Sequence, residues 1–279
     1  MKTGLIKKAL VKGLVAGLIV VLLTVLYFFS VRNKIGRTEI DFLDVGQGDA
    51  SLLKLPNNKI VLIDGGPDNL VLKRLGENLP FYQRKIDLII LSHFHDDHLI
   101  GLVETIRRYE VESIIYMRGM ENSRLFQTFL NEAKERKINL ISLENEASIK
   151  YSENCLLKIL NPLRLEVKSD SNNSLITKVD CSSLSALFTG DNNSKVEEAL
   201  FKAGLVWPAK ILKASHHGSK SANSELFLKS ANPDILIISV GANNRFGHPS
   251  AEILERADQL GIKIKRTDFS GTVEVYGAQ

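Results

Sequence analysis

Ile86 to Leu91 is a strand-length apolar run, and it leads directly into Ser92-His93-Phe94-His95-Asp96-Asp97-His98. This junction constrains the fold more than anything else in the chain, because a buried strand must end at a turn crowded with imidazoles and carboxylates. Imidazole nitrogen and carboxylate oxygen together suit zinc, manganese or iron. His93 and His95, two apart in an extended stretch, project the same way and can share one ion. Asp97 and His98 are adjacent, so they point elsewhere and can serve a second ion. A solvated His-rich turn is the plainer alternative, but it leaves unexplained why half of the chain's six histidines sit here.

The other histidines follow the same rule. His216 and His217 follow the run Ala209 to Ser215, and His248 follows Asp234 to Val240 and precedes a helical segment. Asp191, in Thr189-Gly190-Asp191, ends another apolar run and can bridge two ions with its two oxygens, or simply cap the next helix. Asp64, in Leu62-Ile63-Asp64-Gly65-Gly66, can orient a ligand histidine or serve as a turn carboxylate.

From Glu39 on, short apolar runs alternate with amphipathic segments, as in an α/β layered fold. The expected strands are Glu39 to Val45, Ser51 to Leu55, Lys59 to Asp64, Ile86 to Ser92, Ser113 to Met117, Leu156 to Leu160, Leu175 to Val179, Ser183 to Thr189, Ala209 to Ser215, Asp234 to Val240 and Thr272 to Tyr276. Helices are expected over Leu99 to Tyr109, Ser123 to Arg136, Ser194 to Ala203 and Ser250 to Leu260. Ser194 and Glu197 form a capping-box pattern for the third. No internal linker is evident, so residues 39–279 read as one domain.

Before it, residues 1–12 form a basic tail, and Gly13 to Val31 is an uncharged stretch long enough to cross a bilayer. Residues 32–38 form a linker. Lys2, Lys7, Lys8 and Lys12 favour a cytoplasmic amino terminus, a single-pass anchor in the cell membrane and an extracytoplasmic body. The net charge of +4 resides in this region, since residues 1–38 hold seven basic and no acidic residues. The rest carries 29 basic and 32 acidic groups, a net of −3, which gives no bulk attraction for a phosphate backbone. Cys155 and Cys181 read by default as two buried thiols; one disulfide is the alternative if the body faces an oxidising compartment.

The order Asp64, His93-x-His95-x-Asp97-His98, Thr189-Gly190-Asp191, His216-His217 resembles the metallo-β-lactamase superfamily. Within it, Phe42-Leu43-Asp44-Val45-Gly46-Gln47-Gly48-Asp49-Ala50, Ser215-His-His-Gly-Ser219 and Gly247-His248-Pro249 are similar to the hydrolase domain of the ComEC competence family. The likeness spans Glu39 to Gly277. It implies a four-layer αβ/βα sandwich, here preceded by one transmembrane helix rather than a multi-span channel region. It also implies two divalent ions, zinc or manganese. His93, His95 and a bridging Asp191 would hold one; Asp97, His98, Asp191 and His216, preferred over His217, the other. Asp97 and His217 would act in catalysis, Asn173, Ser219 and His248 would contact substrate, and Asp64 would orient a ligand. The superfamily's third histidine for the first ion has no counterpart between residues 98 and 216; Asn172-Asn173-Ser174-Leu175 stands there, which admits one-metal operation. The implied activity is a phosphodiesterase or nuclease on DNA or another nucleic acid. Hydrolysis of phosphorylcholine or other envelope phosphoesters, and non-catalytic metal binding, are the alternatives.

Overall fold

The computed structural model describes residues 11–26, 38–118, 123–165, 172–182 and 184–277. They divide into two units, with the second beginning at Thr38. Helix α1 spans residues 11–26. Of the expected membrane segment, residues 27–31 lie outside the described residues, as do residues 1–10 of the tail and 32–37 of the linker. Among the described residues no helix is long and apolar enough to cross a membrane.

The second unit is built on two mixed seven-stranded sheets. The first contains β1 (Glu39–Phe42), β2 (Ser51–Leu55), β3 (Lys59–Ile63), β4 (Lys85–Leu91), β5 (Glu110–Met117), β6 (Asn139–Leu143) and β14 (Val273–Tyr276), in the order β14-β1-β2-β3-β4-β5-β6. The second contains β7 (Glu146–Ser152), β8 (Cys155–Leu160), β9 (Ile176–Cys181), β10 (Leu184–Phe188), β11 (Ile211–Lys213), β12 (Ile235–Ile238) and β13 (Lys263–Arg266), in the order β13-β12-β11-β10-β9-β8-β7. Strands β3 to β6 are parallel, as are β10 to β13; the remaining pairs are antiparallel. The helices are α2 (Leu70–Asn78), α3 (Asp96–Arg108), α4 (Arg124–Glu135), α5 (Ser194–Lys202), α6 (Glu225–Ala231), α7 (Ala251–Gln259) and α8 (Thr267–Ser270).

Side-chain alternation makes the layers. Along β10, Leu184, Ala186 and Phe188 join the core shared with the first sheet, while Leu187 faces the other way. Ile237 of β12 likewise points inward, and Leu236 and Ile238 pack with Val196 and Leu200 of α5, Phe227 of α6 and Ile253 of α7. Phe42 and Phe188, one from each sheet, stack with ring centroids 5.6 Å apart in the shared core. The inner parallel strands are covered on both faces, which is why Leu88 to Leu91 of β4 and all of β12 read as continuous apolar runs.

Several elements differ from the sequence expectation. β6, β7 and β13 are sheet-edge strands whose exposed positions are mostly polar; β7 sets Ala147, Ile149 and Tyr151 against the core, but polar residues outnumber apolar ones in it. Helices α2 and α6, of nine and seven residues, lie outside the expected helices. Helix α3 starts at Asp96, three residues early, because Asp96 and Asp97 favour the positive end of the helix dipole. The cap of α5 is Asn193, whose side chain accepts from Lys195 N and Val196 N. Glu197 instead turns inward and accepts from Asn223 N and Ser224 N at 2.6 and 2.8 Å, ahead of α6. Cys155 and Cys181 form a disulfide rather than two thiols, since the β8–β9 register sets them directly opposite each other.

Candidate metal centre

The site lies where the parallel strands of both sheets end. His93 and His95 follow β4, Asp97 and His98 occupy the first turn of α3, Asp191 follows β10, and His216 and His217 follow β11. Asp64 follows β3. Two glycines allow this convergence. Gly190 takes φ +51° with Ser174 against its missing side chain, and Gly101 of α3 leaves room for the Gly65 carbonyl. Asp64, His216 and His217 themselves hold positive φ, at 58°, 50° and 53°. Such strain in non-glycine residues collects at functional sites.

Hydrogen bonds behind the ring fix which imidazole nitrogens face inward. Asp64 accepts from Ser92 N at 2.8 Å and from Ser92 Oγ at 2.7 Å. His98 Nδ1 sits 2.9 Å from Asp64 Oδ2, so that nitrogen donates and Nε2 is left bare. With its own proton committed to Asp64, Ser92 Oγ can only accept from His93 Nδ1 at 3.1 Å. His217 Nδ1 donates to Ser239 O at 3.0 Å, with Asp49 Oδ1 3.2 Å away. All three rings therefore present Nε2 to one small space.

Asp191 stands in that space and is divided. Its Oδ2 lies 3.7 Å from His93 Nε2 and 3.6 Å from His216 Nε2; its Oδ1 lies 3.4 Å from His98 Nε2 and 3.7 Å from His217 Nε2. Two donor sets result, His93, His95 and Asp191 on one side and Asp97, His98, Asp191 and His217 on the other. His93 Nε2, His98 Nε2 and Asp191 Oδ1 are buried without a hydrogen-bond partner. Buried polar atoms are rarely left so, and donors of this type at this spacing fit divalent transition metals.

The second set thus takes His217, where the sequence expectation preferred His216. The two consecutive left-handed residues turn their rings apart. His217 is buried against Ser239 O, and its Nε2 reaches Asp97 Oδ2 at 3.1 Å. His216 remains 28% exposed and faces the Asp191 oxygen that His93 faces.

Around these, Asp97 is 31% exposed and reaches toward solvent. His248 is half-buried with its ring 5.6 Å from that of His216. Ser219 and His248 line an open cleft of about 320 Å³ beside the centre. Asn173, expected to contact substrate, is only 2% exposed. Its neighbours Ser174 and Leu175 take Asp191 N–H and give an N–H to Ser92 O, so this segment props the centre from behind.

Two residues went unanticipated. Lys213, fully inside β11, lies 2.5 Å from Asp49 Oδ2, and Asp49 in turn touches His217. Lys213, set between Leu212 and Ala214 in the run that leads to His216, was the available sign. Electrostatics follow from this packing. Burial would raise the Asp191 carboxyl, yet His98, His217 and His93 hold it well below the carboxylate range. Burial likewise opposes charge on His217, but Asp191 and Asp49 lift it to about 9. Against burial, His217 and His98 bring Asp97 down to about 2. Burial and the neighbouring His217 and His216 push His248 down to about 4.

The second unit is a metallo-β-lactamase-fold domain. The chain matches the metallo-beta-lactamase superfamily over residues 43–147. It is 27% identical over 253 residues to ComE operon protein 3 of Bacillus subtilis (strain 168), covering 85% of this chain and 32% of that one. It is 29% identical over 242 residues to Recombination protein 2 of Haemophilus influenzae, covering 85% and 28%. To Competence protein ComA of Neisseria gonorrhoeae it is 32% identical over 118 residues, covering 42% and 17%. The chain thus spans under a third of the length of these relatives. Among solved structures, CmlA, a diiron β-hydroxylase from Streptomyces venezuelae, superposes with a TM-score of 0.58 at 13% identity, over 88% of this chain and 54% of that one. That likeness concerns the fold.

Proposed function

We propose that this chain is a metal-dependent phosphodiesterase that cuts DNA or another nucleic acid. The observation that carries the reading is the divided Asp191, with imidazole nitrogens facing each of its oxygens, of which His93 Nε2 and His98 Nε2 are buried without a partner. His93, His95 and Asp191 would hold one zinc or manganese ion, with His216 as a further donor on that side. Asp97, His98, Asp191 and His217 would hold the other. Bound there, divalent ions supply a water of lowered pKa and polarise a phosphoryl oxygen.

The chain's own groups do the rest. Asp97, turned toward solvent, orients the attacking water and accepts its proton. His248, uncharged at neutral pH, grips a substrate oxygen as a hydrogen-bond donor, and Ser219 lines the same cleft. The net charge of the body is −3 over residues 39–279, so substrate phosphate must be held locally. Relatives named for recombination and competence favour DNA as the substrate. The apolar stretch over residues 13–31 is proposed to anchor the chain in a bilayer. The Cys155–Cys181 disulfide supports a body on the oxidising side.

The test is the purified chain assayed with manganese or zinc against single- and double-stranded DNA, RNA, bis-p-nitrophenyl phosphate and phosphorylcholine esters. Metal-dependent cleavage of a nucleic acid, abolished by Asp191→Ala, is expected. Turnover of the small diester with no polymer cut would remove the nuclease reading.

A further inference from the structure

We infer that Phe246, in the loop after β12, is a nucleobase-stacking platform that makes the site select single-stranded nucleic acid; this rests on the phosphodiesterase reading above. A row of rings leads outward from the centre. His216 faces Asp191, His248 lies 5.6 Å from His216, and Phe246 stacks on His248 at 6.0 Å with an interplanar angle of 26°. Although it packs against His248, Phe246 is still 56% exposed, so much of its apolar surface stays open to water and to a ligand. It lies in the wall of the 320 Å³ cleft, within the range of small-ligand sites, roughly 300–1,000 Å³.

The platform is held in place. Asn244 Nδ2 donates to Gly241 O and His248 O at 3.1 and 2.6 Å, and its Oδ1 accepts from Phe246 N and His248 N at 3.2 and 3.0 Å. Ser250 N donates to Gly218 O at 3.0 Å, tying the loop to the turn that carries His216 and His217. A ring fixed one side chain beyond the centre suits a base next to the scissile phosphate.

Charge selects the class of occupant. Arg245 stands 5.3 Å from the Phe246 centroid and is exposed, so it can close over a stacked base or swing to a phosphate. The same cation disfavours a quaternary ammonium group, such as choline, at that ring. Lys220 and Glu252 line the same cleft and their opposite charges offset there, so Arg245 is the cation that faces the ring. In a duplex every base face is already stacked, so only an unpaired strand can present one to Phe246.

The test uses the full chain with manganese and three oligonucleotides: a single strand, its duplex, and the single strand with an abasic residue beside the cleaved phosphate. Phe246→Ala should raise KM for the single strand about tenfold, and Phe246→Trp should restore it. The abasic strand should lose about as much with the unaltered chain, and little more with Phe246→Ala. The inference is overturned if the chain cuts the duplex as well as the single strand, or if KM ignores Phe246 or the base. Failure of the unaltered chain to cut any of the three would instead overturn the nuclease reading, and the inference with it.

Discussion

Lys213 Nζ lies 2.5 Å from Asp49 Oδ2, and both side chains are buried directly behind His217. The pair lets Asp49 remain ionised against His217, since burial alone would raise its carboxyl while Lys213 and His217 hold it low. Removing one partner of a buried pair leaves an uncompensated charge, at a cost of about 3–5 kcal/mol. Lys213→Met should destabilise the chain on that scale in urea unfolding. Lys213→Met with Asp49→Asn should recover part of the loss. A single variant as stable as the original would show the pair has no such role.

Asp64 accepts from Ser92 N, Ser92 Oγ and His98 Nδ1. In Asp64→Asn an amide group must face one of these donors, and the ring orientation is loosened. Metal affinity should fall roughly 10- to 100-fold, measured by titration calorimetry with manganese, while the far-ultraviolet circular dichroism stays the same. An unchanged affinity would remove Asp64 as the orienting group.

His216 adopts φ 50° and ψ 49°. A left-handed L-residue costs roughly 1–2 kcal/mol, which glycine avoids. His216→Gly is therefore expected to raise the midpoint of metal-free thermal unfolding while lowering affinity at the His93 side. A lower midpoint with unchanged metal affinity would mean that the ring packs rather than ligates.

Burial pushes the Asp41 carboxyl from 3.8 up to about 7, against the pull of Lys54. Between those values the folded chain keeps a proton that the unfolded chain has released. This contribution to stability is present below pH 3.8 and is lost as pH rises toward 7, by up to about 1.4 kcal/mol per pH unit. Asp41→Asn should flatten that part of the stability profile. An identical slope in the variant would place the effect elsewhere.

The strands that carry the centre were legible because parallel strands covered on both faces leave apolar runs, each ending at its functional residue: Leu91 before Ser92, Phe188 before Thr189, Ala214 before Ser215. The edge strands β6, β7 and β13 were not, since only one face of each is half-buried and its few apolar residues, such as Ala147, Ile149 and Tyr151 of β7, sit among polar ones. The donors at His93, His95, Asp97, His98 and Asp191 could be collected from type and spacing. The different settings of His216 and His217 could not, because adjacent residues with left-handed backbone owe their directions to Gly190 O, Asn223 and Ser239 O, partners distant in sequence. Lys213 was hidden for a similar reason: its partner Asp49 lies in the other sheet's loop.

Asp191 is proposed to serve both sides of the centre, and counting bound metal tests this without reference to substrate. After equilibration with manganese and removal of free ion, the unaltered chain should retain two ions per chain, His95→Ala one, and Asp191→Ala none. Two ions retained by Asp191→Ala would contradict the shared carboxylate, and with it the proposed dinuclear centre.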